Sequence, residues 1–330
     1  MIVENSIFEV RRHSRLGAVI VAATLSIVAV LYLSLVPCSG FESIVSPSVW
    51  GSAVDGWQVA HPVWSSIFLW FLITYLSVKL GQLVSRYDLY GSKSYLTMEF
   101  FPMLSVGLAV NVASLRGVLV AMLVTYSLIR YASSYRNANC VGVLLSGSVA
   151  LGVAVLLYSP AIVLWGVVPF VLVIFERTIR EVIVAMVSLL IVPFAYIYSL
   201  WVMGGDFGCE LSRFVGLIVV DSGYSVWASL SVVAICVVGI VLCLTINSAL
   251  IISLLENTIK ARRRLKIVAI YAVAIAAMLA MPSSDSVVFA IMAIPASILI
   301  PITLLSFGRK MSFIIYVLLF GCLVVNMWLG

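Results

Sequence analysis

The first stretch that could do chemistry lies between the first two apolar blocks. Glu42, Asp55 and His61 stand there with Trp50 and Trp57, in a segment, 37–62, that holds no lysine or arginine. Carboxylates just outside a bilayer are what a multi-pass transferase acting on polyprenyl-phosphate-linked sugars needs, and His61 beside them could be a general base. There an acidic residue after the first helix would activate the acceptor or hold a divalent metal. Glu42 and Asp55 are thirteen residues apart, however, and no two acidic residues are adjacent anywhere in the chain. Set against the catalytic reading is a plainer one, in which Glu42 and Asp55 are solvated loop carboxylates and His61, which precedes Pro62, is polar filler.

Two further groups of residues have the right chemistry for a ligand. Lys260, Arg262, Arg263, Arg264 and Lys266 form the densest basic run. It would attract anionic lipid headgroups by about 1 kcal/mol per charge, or bind a phosphate-bearing donor, or simply anchor a helix end. Asn111, Asn247 (with Thr245 and Ser248) and Asn326 lie in apolar surroundings. They could line the polar cavity of a transporter, or hydrogen-bond between helices for about 0.6–2 kcal/mol each.

Other chemistries lack their residues. With His13 and His61 the only histidines, a multi-histidine metal site is excluded. The six cysteines show neither CxxC nor metal-ligand spacing. Cys236 and Cys243 read as small buried hydrophobes, and Cys38 and Cys209 as a pair that could meet on an oxidising side. GxxxxGK, GxGxxG, GxSxG and HExxH are absent, so no cofactor is implied. Gly142, Gly147 and Gly152 recur every five residues, which is not GxxxG.

The elements that must position these groups follow from composition. Of 330 residues 64% are hydrophobic and 10% charged, against roughly 25% charged in a soluble domain. Most of the chain therefore belongs in lipid, where backbone groups must bond within their own segment and helices result. The net charge of +6 is dispersed in short clusters between apolar runs, which disfavours nucleic acid as a partner and matches positive-inside sorting.

The segment 130–193 sets the orientation. Apolar blocks at 140–158 and 161–175 meet at Ser159-Pro160, with Arg130 and Arg136 beyond one outer end and Arg177 and Arg180 beyond the other. This predicts a tight helical hairpin with both arginine-bearing ends in the cytoplasm. Further spans are expected at about 16–36, 63–84, 182–203, 226–255, 267–281, 287–307 and 312–328. The first is too long for a signal core of roughly 7–15 residues and reads as a retained helix. Residues 96–131 give either two short spans, 96–113 and 117–131, or a re-entrant pair. The expected architecture is an all-α polytopic transmembrane bundle of about eleven helices, a single integral membrane domain over 1–330 with its N-terminus cytoplasmic. It has outer loops at 37–62 and 204–225 and a basic cytoplasmic loop at 256–266. In that orientation all of the 19 lysines and arginines except Arg116 and Arg213 lie in or beside cytoplasmic segments. The apolar part of the second outer loop, 214–220, is expected to lie flat on the membrane.

The order RYASSYRNAN, GVLLSGSVALGVAVLLYSPAIVLW and FERTIREVIVAMVSLLIVPF, after LGQLVSRYDLYGSKSYLTMEFFPML, resembles an uncharacterised multi-pass inner-membrane family of Gram-negative, Bacteroidota-like bacteria. The resemblance covers about 63–205 and implies fold and location, with no activity to carry over. Functionally the leading expectation is a non-enzymatic accessory or scaffold component of envelope biogenesis, because the middles of the spans are nearly free of charge. Lys79 sits where it can snorkel, and Glu99 and Glu256 lie near inner helix ends. The alternatives are the polyprenyl-phosphate-sugar transferase and a transporter or flippase. Expected partners are membrane lipids and other envelope proteins or a lipid-linked glycan.

Overall fold

The computed structural model describes residues 19, 22–27, 48–90, 96–107, 114–135, 140–219, 238–248, 259–281, 283–307 and 309–329. Among them every regular element is a helix. In chain order these are α1 (Gly51–Ala60), α2 (Pro62–Tyr87), α3 (Leu96–Gly107), α4 (Leu115–Ser134), α5 (Val141–Leu157), a 3-10 turn (Ser159–Ile162) and α6 (Val163–Ile174). Then follow α7 (Ile179–Val202), α8 (Phe207–Val219), α9 (Val238–Ser248), α10 (Ile259–Met278), α11 (Val287–Ser306) and α12 (Arg309–Leu329).

Local signals set the helix ends. Pro62 opens α2, where a missing N–H costs nothing, and Asp88 closes it in the left-handed region at φ 47°. The Ser114 hydroxyl starts α4 by accepting from the Gly117 amide at 3.3 Å. At α7, Thr178 and Glu181 form a capping box.

Among the described residues four helices, α2, α4, α7 and α11, are long and apolar enough to cross a membrane. They use that length differently. Only 28% of the apolar window of α7 is buried, and Ile183, Val187, Leu190, Phe194 and Trp201 form an exposed stripe along it. A face of that extent suits lipid and would be an aggregation site in water. The α11 window is 94% buried, enclosed by α3, α4, α10 and α12. That helix is the centre of the bundle.

α4 packs on α5, and α5 packs on α7. The glycines of α5 permit both approaches. A Cβ on Gly152 would stand 2.9 Å from the Leu189 carbonyl oxygen of α7, and one on Gly147 would stand 3.2 Å from the Arg130 Cβ of α4. A five-residue step turns about 140° around a helix, so successive glycines serve different neighbours. That is why they need not follow GxxxG.

The two ends of the bundle differ in chemistry. Arg86, Arg130, Arg177, Arg263 and Arg264 gather at one end. There Arg263 meets Glu176 at 2.7 Å, and the Arg264 guanidinium donates to the Ala132 carbonyl at 3.1 Å and lies 3.9 Å from the Tyr87 ring centre. The ends of α1, α5 and α8 and the start of α4 meet at the opposite end. The Trp50 amide donates to the Leu156 carbonyl at 3.0 Å, and the Ser283 hydroxyl to the Ile218 carbonyl at 3.1 Å.

Several expected boundaries move. The stretch 37–62 contains a helix, α1, over Gly51–Ala60, and 204–225 contains the strongly amphipathic α8. α4 extends to Ser134, three residues beyond the expected 131, because its last turn is held by packing and not by apolar length. It is thus a full-length candidate span, while the stretch before it is represented among the described residues by α3, 12 residues and about 18 Å long. α10 already includes 259–266, ahead of the expected 267, so the basic run is helical and not a loop. Of the span expected at 226–255, the described residues include α9 alone, and most of the span at 16–36 lies outside them.

Candidate functional site

Three charged side chains from three distant parts of the chain meet at the end opposite the arginines. Asp55 comes from the second turn of α1, Arg116 from the first turn of α4, and Asp285 from the turn that leads into α11. Arg116 Nη2 donates to Asp285 Oδ2 at 2.6 Å, and Arg116 Nε lies 3.4 Å from Asp55 Oδ2. The second contact is close enough for an ion pair, although Nε is not aligned on the carboxylate as a hydrogen bond. Side-chain exposure is 4% for Arg116, 0% for Asp285 and 16% for Asp55, so the cluster is enclosed.

The backbone around it is arranged to receive these charges. Asp285 Oδ1 accepts from the Val287 amide at 3.0 Å, leaving Oδ2 for Arg116. The Tyr158 hydroxyl accepts from the Asp285 amide at 3.4 Å, and Arg116 Nη1 donates to the Ser48 hydroxyl at 3.4 Å. Gln58 Oε1 accepts from the Leu115 amide at 2.9 Å, so α1 satisfies an orphan donor at the start of α4. A glycine is required at 51, because a Cβ there would stand 2.7 Å from the Leu157 carbonyl oxygen and 2.7 Å from Arg116 Cδ.

Fully ionised, the cluster holds two negative charges and one positive. Burial raises the Asp55 carboxyl to about 6, with Asp285 pushing the same way and Arg116 opposing. Buried Asp55 Oδ1 has no hydrogen-bond partner. The arrangement can therefore take up one proton on Asp55 in mildly acidic conditions, and otherwise it acts as an electrostatic lock between α1, α4 and α11.

The residues singled out from the sequence are not brought together. Asp55 turns inward to Arg116, whereas His61, at the junction of α1 and α2, is exposed and lies beside Trp57 at 5.8 Å between ring centres. Glu42 and Asn111 fall outside the described residues, and Asn326 is a position on α12. Asn247 is exposed on α9, whose contact with the core runs through the Thr303 hydroxyl donating to the Leu244 carbonyl at 3.0 Å. In the basic run Lys260 and Lys266 are exposed, Arg262 is half-buried, and Arg263 and Arg264 face protein groups. Cys209 is a free thiol on α8, and Cys38 lies outside the described residues.

Sequence reasoning passed over Arg116 and Asp285. A signal for Arg116 was present, since it is one of the two cations that positive-inside sorting leaves on the far side. A cation held against that bias has reason to carry its own counterion. Asp285, in the PSSDS turn, had no comparable mark.

Comparison with known proteins finds no family model that matches the chain, and no similar curated protein or solved structure.

Proposed function

We propose that this chain is a multi-pass protein of the bacterial inner membrane, crossing it about eleven times with its N-terminus and arginine-bearing end in the cytoplasm. It works there as a non-enzymatic accessory or scaffold component of envelope biogenesis. The observation that carries this reading is the position of α11. The helix best suited by composition to face lipid is instead 94% enclosed by other helices. Its polar groups are used internally, Ser297 on the Ile294 carbonyl at 2.8 Å and Thr303 on the Leu244 carbonyl at 3.0 Å. A centre of that kind holds helices together and is poorly suited to passing a solute. The carboxylate best placed for transferase chemistry, Asp55, is engaged by Arg116.

Orientation is tested by single cysteines at Gly204 and Thr178 in a cysteine-free background. An impermeant maleimide should label Gly204→Cys on intact spheroplasts and Thr178→Cys only after permeabilisation, and the reverse pattern removes the topology. The non-enzymatic reading is tested by complementation of a deletion strain with a chain carrying Glu42→Ala, Asp55→Asn and His61→Ala. Restored envelope integrity supports it. Loss of complementation with normal membrane levels and fold returns the transferase.

A further inference from the structure

The flank of the bundle carries a groove of about 1060 Å³ between α2, α4 and α5. On α2, Tyr75, Lys79, Gln82 and Arg86 line it at steps of four, three and four residues, which stacks them on one helix face. On α4, Tyr126, Arg130 and Ser133 repeat the pattern. α2 and α4 both run toward the arginine end and α5 runs away from it. Arg86 and Arg130 therefore mark the mouth, and Met122 and Val153 lie deeper.

The charge in this groove is of one sign. Among the described residues no aspartate or glutamate lines it. Among the described residues, none of its three cations forms an ion pair, although Arg177 and Arg263 at the same end of the bundle have Glu181 and Glu176. The cations rest on tyrosines instead. Lys79 Nζ lies 5.4 Å from the Tyr75 ring centre, and Arg86 lies 5.8 Å from that of Tyr87. Arg130 lies 5.1 Å from the Tyr126 ring centre and donates through Nε to its hydroxyl at 2.9 Å. A phenol ring positions a cation without neutralising it.

We infer that the groove binds a membrane lipid with an anionic, phosphate-bearing headgroup, the phosphate lying among Lys79, Arg86 and Arg130 and an acyl chain running inward past Val149. Three dimensions support this occupant. From Tyr75 to Arg86 the α2 face is about 16 Å long, close to half of a hydrocarbon core of about 30 Å, so the groove spans one leaflet. Its volume exceeds the roughly 300–1,000 Å³ of small-molecule sites, which a lone anion would leave empty. Its apolar part lies deeper in the bilayer than its cations, the order in which a lipid presents chain and headgroup. The inference does not rest on the scaffold reading, and it requires only that α2, α4 and α5 lie in lipid.

The test uses the purified full chain in detergent, titrated with phosphatidylglycerol or phosphatidylcholine of the same chains and read by native mass spectrometry. Wild type should retain phosphatidylglycerol in preference to phosphatidylcholine. Lys79→Gln, Arg86→Gln and Arg130→Gln should each weaken phosphatidylglycerol about fivefold, and the triple variant on the order of a hundredfold. Val149→Trp, which fills the apolar part and spares the cations, should weaken both lipids. Lys260→Gln with Lys266→Gln, on the exposed basic turns of α10, should change neither. If the triple variant does not fold, Lys79→Gln alone decides. Equal retention of the two lipids by wild type, or unchanged retention in the Lys79→Gln or triple variant, overturns the inference. So does displacement by equimolar glycerol phosphate, which would make the site one for a free anion, or a two-chain mass lost on Val149→Trp, which would make the occupant a second copy. The cysteine-labelling result on topology stands or falls separately from all of these.

Discussion

Arg116 Nη2 and Asp285 Oδ2 lie 2.6 Å apart across 169 residues of sequence, both nearly inaccessible to solvent. The pair joins the start of α4 to the turn that leads into the central helix. Desolvating two charges offsets much of their attraction, so the contact adds little net stability over an apolar pair, but removing one partner strands the other. Its role is to fix which ends meet.

Stranding can be measured. Asp285→Asn and Arg116→Met should each destabilise the protein by about 3–5 kcal/mol in equilibrium unfolding in mixed micelles. The double variant Arg116→Met with Asp285→Asn should lose clearly less than the sum, because two paired charges vanish together. Simple additivity would mean that the two side chains are not coupled.

The cluster also predicts a pH dependence with a definite sign. The Asp55 carboxyl is raised to about 6 in the folded chain from its ordinary value of about 3.9. The folded state then binds this proton more readily than the unfolded one. The contribution to stability is therefore greatest below about pH 4, declines as pH rises through 4 to 6, and is level above that window. The groups facing Asp55 are Arg116 from α4 and Asp285 from the turn before α11. Asp55→Asn should remove this slope. Wild type and variant with the same pH profile would show that Asp55 titrates normally.

Two glycines of one helix should answer differently to alanine. A Cβ at Gly51 meets the Leu157 carbonyl oxygen at 2.7 Å, whereas nothing lies within 4 Å of one at Gly56. Gly51→Ala should cost about 1–3 kcal/mol through overpacking at the charge cluster. Gly56→Ala should be neutral or stabilising by up to about 1 kcal/mol from helix propensity. Thermal midpoints of the two variants compared with wild type decide the matter, and Gly51→Ala equal to Gly56→Ala would show that α1 does not sit against Leu157.

The same contrast applies to α5. Gly152→Ala places a methyl 2.9 Å from the Leu189 carbonyl and should loosen α5 from α7, while Gly142→Ala meets nothing within 4 Å. A disulfide engineered between the two helices near these positions should form less efficiently in Gly152→Ala and normally in Gly142→Ala. Equal cross-linking would contradict the close approach.

What the sequence determined by itself is the class of fold and the punctuation of the chain. An apolar composition with few charges predicts helices, because backbone groups in lipid must bond within their own segment, and Ser159-Pro160 breaks the hairpin by local chemistry that needs no tertiary contact. The tertiary structure decided which apolar helix keeps an exposed face and which is central. α7 and α11 are both strongly apolar, and α11, the more apolar of the two, is the enclosed one, so composition alone would misplace them and only packing leaves one exposed and encloses the other. It also decided the charge cluster, because Asp55, Arg116 and Asp285 share no spacing that a local rule could read. The polar stripe Tyr75, Lys79, Gln82 and Arg86 falls between these cases. Its helical period is legible along α2, but whether it meets lipid, a groove or another helix depends on where α4 and α5 come to rest.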